Sequence, residues 1–137
     1  MNILYPVFAL SGLTLLLMGR LGVLRYLAVK SGSIDPKFFV LYRGYDEPEK
    51  LAVHSRHVVN LFETPILFYL ICIVAFVTEQ SGTVLVALAW LYVGLRFTHS
   101  YIHLTSNIVL QRFRVFILSM LTLMILWAIV LTGVMRL

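Results

Sequence analysis

The chain has 137 residues, 61% of them hydrophobic and 12% charged, with a formal net charge of +5. Soluble domains carry about 25% charged residues, so half the expected charge is missing, and the mean hydropathy is +0.94. A disordered chain, a disulfide scaffold and an ordinary soluble enzyme are excluded. What remains is one all-α membrane domain covering residues 1–137. The basic excess is scattered at helix ends, with no basic stretch or aromatic–basic module, so nucleic acid is not an expected partner. The single cysteine, Cys72, lies in the apolar run Tyr69–Phe76; it has no C-x-x-C companion and reads as packing rather than as a nucleophile.

A helix needs about 20 apolar residues to cross the hydrocarbon. The first candidate carries no charge from Met1 to Gly19 and continues past Arg20 toward Leu27. It lacks a basic n-region and a small-residue cleavage site, so it is expected to be retained. A polar, turn-rich connection runs from Lys30 to Lys50. The second span is expected from Leu51 to Thr78, interrupted by Arg56 and Glu63, and Glu79–Gly82 forms a tight hairpin. A third span is expected from Val84 to Val109, a short connection at Gln111–Arg114, and a fourth span from Val115 to Met135. The expected fold is an integral membrane four-helix bundle.

Lys and Arg concentrate in the first connection and its flanks and recur at Arg112 and Arg114, whereas the second connection has none. The positive-inside rule then places connections one and three in the cytosol and both termini outside.

At about 100° per residue, Arg56, Asn60 and Glu63 share one face of span two. Arg96, His99, His103 and Asn107 share one face of span three. In a hairpin centred near Gln80, residues whose numbers sum to about 160 lie level. Arg56 is then level with His103, Asn60 with His99, and Glu63 with Arg96. Glu63 sits about 10 Å deeper than Arg56 and is too short to reach the surface, so Arg96 is its expected partner. The excess of the set is basic, which suits an anion-binding cleft open to the cytosol. Pro65 removes a backbone donor beside this cluster.

The i, i+4 pair His99–His103 and the i, i+3 pair His54–His57 have spacings that suit metal or haem ligation. His54 points about 160° away from the Arg56 stripe and no carboxylates converge, so no metal site is expected. His99 and His103 read instead as donors within the cleft.

The run Arg56-His-Val-Val-Asn-Leu-Phe-Glu-Thr-Pro65, followed by Arg96-Phe-Thr-His99 and Arg112, resembles the MAPEG family, the membrane-associated proteins in eicosanoid and glutathione metabolism. The resemblance spans nearly the whole chain. It implies a homotrimer of four-helix subunits that binds glutathione between subunits at the cytosolic half of the membrane. Arg56, Asn60 and Glu63 then match glutathione-contacting positions. Arg96, His99 and His103 match further polar positions, and Arg112 matches the arginine that stabilises the thiolate. Arg25 or Arg20 matches a contributing first-span arginine. The chain departs from the family at Val59, where some members carry a second arginine, at His103, which replaces a cleft tyrosine, and at Phe113 and Phe116, which replace a serine and a tyrosine. Its compactness is that of a bacterial-type member, hence of an inner-membrane protein.

The implied activity is a glutathione-dependent transferase or peroxidase acting on lipophilic electrophiles, with glutathione as co-substrate and membrane lipids around it. The alternatives are a non-catalytic protein on the same scaffold that binds a lipid or an anionic metabolite, and a small haem-binding membrane protein.

Overall fold

A computed structural model describes residues 2–44, 46–80 and 82–136. The chain is a helical bundle, and no strand occurs among the described residues. The elements are α1 (Leu4–Lys30), α2 (Phe38–Leu41), α3 (Glu49–Leu61), α4 (Thr64–Val77), α5 (Thr83–Leu104) and α6 (Val109–Val134). Four stretches are long and apolar enough to cross a membrane: α1, α3 and α4 taken together, α5 and α6. The four-span membrane architecture expected from hydropathy is therefore observed.

The bundle is held by stripes at three- and four-residue spacing, the pattern that places side chains on one helical face. On α6 the buried face is Ser119, Thr122, Leu123, Leu126 and Val130. On α4 it is Pro65, Phe68, Ile71, Cys72 and Ala75. These meet Leu85, Val86, Ala89, Tyr92 and Val93 of α5 and Leu10 of α1 in one apolar core. Phe68 stacks on Tyr92 with ring centroids 4.5 Å apart. Cys72 is buried within this core, as its apolar surroundings in sequence suggested. The outward faces remain apolar and exposed, as with Leu15, Leu16, Ile73, Phe76, Leu121 and Met124. Hydrocarbon rather than water suits such a surface, because helices satisfy their backbone polar groups internally.

The α5 stripe changes character along its length. It is apolar from Leu85 to Val93 and then runs Arg96, His99, Ser100 and His103, all buried. The polar half of the bundle therefore lies at the C-terminal end of α5, level with α3 and the start of α6.

Three boundaries differ from the hydropathy reading. Span two is broken at Phe62–Glu63, where Glu63 has φ −89° and ψ −96°. Pro65 then lies in the first turn of α4, where its missing N–H costs nothing. Span three ends at Leu104 rather than Val109, and α6 begins at Val109 rather than Val115. The connection is Thr105–Ile108, marked by Asn107 at φ 51°, a left-handed conformation that asparagine tolerates. Arg112 and Arg114 are thus on a helix. Their charge suggested a loop, but charge near a membrane surface does not break a helix.

Connection one contains α2, and its Phe38 joins Leu21, Ile34 and Leu51 in a second, smaller apolar cluster. At the second connection, Glu79 adopts φ 57°. Ser81 lies outside the described residues. Gln80 Nε2 donates to the Val130 carbonyl at 3.2 Å and to Thr78 Oγ1 at 3.0 Å, tying this hairpin to the end of α6.

Candidate functional site

The break in span two creates the first element of the site. Without an N–H on Pro65 and with Glu63 out of helical conformation, the last carbonyls of α3 lose their usual partners. Phe62 N–H donates to Val59 O at 2.9 Å, and Glu63 N–H reaches Asn60 O at only 3.4 Å. The guanidinium of Arg96 fills the gap. Its Nη2 donates to Asn60 O at 3.2 Å and to Asn60 Oδ1 at 2.7 Å. This fixes the amide, whose Nδ2 donates to Glu63 Oε2 at 3.0 Å.

The direct Glu63–Arg96 pair expected from depth matching is replaced by this amide bridge. Asn60 rather than Glu63 meets Arg96 directly, while His57 facing His103 keeps the expected sum of about 160. Arg96 is fully buried and stands behind Asn60 instead of lining the cleft, and its Nε and Nη1 have no partner among the described residues.

In front of the bridge opens a cavity of about 520 Å³ lined by Arg56, Asn60, Glu63, His99, His103 and Arg112, with Phe113 and Phe116 along one wall. Six of the residues singled out in the sequence therefore meet in one cleft. Four basic or amide side chains (Arg56, Asn60, Asn107 and Arg112), two histidines and one carboxylate line it, and the first turn of α6 adds the partial positive charge of a helix N-terminus. Among these groups, Arg56 and Glu63 are exposed and Asn60 and Arg112 half-buried. The cleft can hold a ligand that carries carboxylates and an ammonium and presents an apolar portion to the phenylalanines.

Arg25 does not line this cleft. Its guanidinium lies over the rings of Phe39 and Tyr42, 5.5 and 5.7 Å from their centroids, because α1 packs there against connection one. Arg20, the other first-span arginine, lines an adjacent cavity of about 460 Å³ with His54, His103 and Asn107.

In the sequence His57 pairs only with His54, at i, i+3, and has no expected place in the cleft. It lies on the buried stripe of α3 with Leu51, His54 and Leu61, not on the Arg56 stripe. Its Nδ1 is 3.1 Å from His103 Nδ1 and its Nε2 is 2.8 Å from Ser100 Oγ. His99 completes the group, its ring centroid 5.9 Å from that of His57. The available signal was the apolar spacing of Leu51 and Leu61, which puts positions 54 and 57 on the inward face.

The family model described as MAPEG matches residues 3–132, nearly the whole chain. The chain belongs to the MAPEG family. No curated protein and no solved structure matches this MAPEG chain significantly. Within it, the break, the amide bridge and the basic cleft all lie inside the matched residues.

Proposed function

We propose that this MAPEG protein is a glutathione-dependent transferase or peroxidase acting on lipophilic electrophiles. The observation that carries the reading is the convergence of Arg56, Asn60, Glu63 and Arg112 on one cavity of about 520 Å³, a volume within the usual range of about 300–1,000 Å³ for small-molecule sites. Glutathione has two carboxylates, one ammonium and one thiol. Guanidinium forks suit the carboxylates, Glu63 suits the ammonium, and Arg112 suits the thiolate. Phe113 and Phe116 supply an apolar wall for the electrophile, which the bilayer concentrates. Asn60 contacts the ligand, and Arg96 acts as a positioning residue that holds the amide.

The same reading includes a homotrimer, which membership of the family implies. It also includes connections one and three in the cytosol, both termini outside, and a bacterial inner membrane. A first-span arginine serves the site; Arg20 is the nearer candidate and Arg25 belongs to the site only across a subunit boundary.

Calorimetric titration of glutathione into the protein in nanodiscs tests the reading. Binding that weakens about tenfold or more in Glu63→Ala and Asn60→Ala supports it, from the ~1.5–3 kcal/mol of a charge-assisted bond. Unchanged affinity in Glu63→Ala removes glutathione from this cleft. Tight anion binding with no thiolate formed favours the non-catalytic alternative.

A further inference from the structure

His57, His99 and His103 come from two helices and bring one ring nitrogen each within 4.8 Å of one another, all three residues buried. The cluster is more than mutual hydrogen bonding. Ser100 Oγ donates its single proton to the Arg96 carbonyl at 2.9 Å, so its 2.8 Å contact with His57 Nε2 runs the other way: the His57 Nε2–H donates and Ser100 Oγ accepts. His57 Nδ1 is therefore a lone pair, turned toward His103 Nδ1 at 3.1 Å. His99 adds a buried Nδ1 with no partner among the described residues. An outer hydrogen bond that fixes the tautomer and orients the inner nitrogen is the arrangement that metal-ligating histidines use.

We propose that His57, His99 and His103 form a three-imidazole site for a late first-row transition-metal cation, with Zn²⁺ as the reference ion. Imidazole is the ligand such ions select. With Zn–N bonds of about 2.0–2.1 Å, tetrahedral ligand nitrogens lie about 3.3–3.4 Å apart. The observed spread of 3.1 to 4.8 Å brackets that value, and side-chain rotation closes the longer separations. The ion takes the place of the proton held between His57 and His103, and His103 carries its own proton on the other nitrogen. No carboxylate belongs to the group. A three-ligand site of this kind leaves a fourth position open, and His99 and His103 also line the basic cleft, so that position is available to water or an anion held there. Arg56 and Arg112 in the same cleft then offset the anion, not the metal. The site needs only the imidazoles and does not depend on glutathione.

The test is a titration of chelator-stripped protein in nanodiscs, without glutathione, against Zn²⁺ in competition with a chromophoric chelator. One Zn²⁺ per chain is expected, with affinity falling about a hundredfold in His57→Phe and His99→Phe, about tenfold in Ser100→Ala, and unchanged in His54→Gln, whose Nδ1 is engaged with the Lys50 carbonyl. Co²⁺ bound to the wild type gives a readout that needs no variant: strong visible bands of a four-coordinate nitrogen-ligated ion are expected. Absence of stoichiometric Zn²⁺ binding by the wild type, stoichiometric binding that survives His57→Phe, or weak bands of a six-coordinate Co²⁺ would each overturn the proposal.

Discussion

The amide bridge makes a quantitative statement that separates it from an ion pair. Asn60→Ala removes the Oδ1 acceptor 2.7 Å from Arg96 Nη2 but leaves the backbone carbonyl bond at 3.2 Å. One charge-assisted bond contributes about 1.5–3 kcal/mol in soluble proteins. Interhelical hydrogen bonds in membranes average about 0.6 and reach about 1.7 kcal/mol. A coupling energy of about 1–2 kcal/mol between Asn60→Ala and Arg96→Leu is the expected result. Arg96→Leu alone should cost more, since both bonds to residue 60 are lost, though relief of a buried guanidinium with two unpartnered nitrogens offsets part of it. A direct Glu63–Arg96 pair would instead give strong coupling between Glu63→Gln and Arg96→Leu, because breaking a buried ion pair costs about 3–5 kcal/mol. The bridge predicts that coupling below about 1 kcal/mol. Reversible unfolding in mixed micelles, over both mutant cycles, measures the two numbers. Glu63 coupling to Arg96 more strongly than Asn60 does would refute the bridge.

The hairpin latch predicts a background-dependent glycine. A Cβ on Gly133 would collide with the Gln80 side chain, so Gly133→Ala should destabilise the wild type by displacing bonds of about 1 kcal/mol each; in Gln80→Ala the same change should be neutral or favourable by up to about 1 kcal/mol from helix propensity, and thermal unfolding of the four proteins decides. Tyr92 donates to Thr64 Oγ1 at only 3.3 Å while its ring stacks on Phe68, so Tyr92→Phe should cost less than about 1 kcal/mol and Tyr92→Ala about 3–5, read in the same assay. Cysteine labelling checks the topology: a Lys37→Cys site should react from the cytosolic side and a Gln80→Cys site from the opposite one.

Helical periodicity made much of the bundle and the cleft legible. Arg56, Asn60 and Glu63 fall on one face of any regular helix, and the hairpin at Glu79–Gly82 had to carry that face toward His99 and His103. Three things could not be read in this way. The break at Phe62–Glu63 frees an Asn60 carbonyl that Arg96 caps, a tertiary contact that sets Asn60 between Glu63 and Arg96. Arg112 looked like a loop residue because hydropathy averages record charge and not backbone conformation. His57 showed its spacing to His54 but not its partners, because the approach of His103 and Ser100 is a tertiary contact between α3 and α5. Its neighbours on the buried face are Leu51, His54 and Leu61, so a polar residue there looks solitary until α5 turns Ser100 and His103 toward it. Arg25 was assigned to the cleft on resemblance alone, while the aromatic rings of Phe39 and Tyr42 hold its guanidinium elsewhere.

On the proposed function, the cleft binds glutathione and Arg112 favours its thiolate. A free thiol near pKa 8.5 is mostly protonated at neutral pH. A guanidinium about 4 Å from the sulfur, at an effective dielectric of about 20, favours the anion by up to about 4 kcal/mol, and each pKa unit corresponds to about 1.4 kcal/mol. That sets an upper bound of about three units, and in a cleft open to water a lowering of about one to two units is expected. The decisive measurement is ultraviolet thiolate absorbance titrated against pH at saturating glutathione, in the wild type and in Arg112→Leu. The bound thiol should ionise about one to two pH units below free glutathione in the wild type and close to the free value in the variant. Identical titrations in the two proteins, with glutathione still bound, would contradict it.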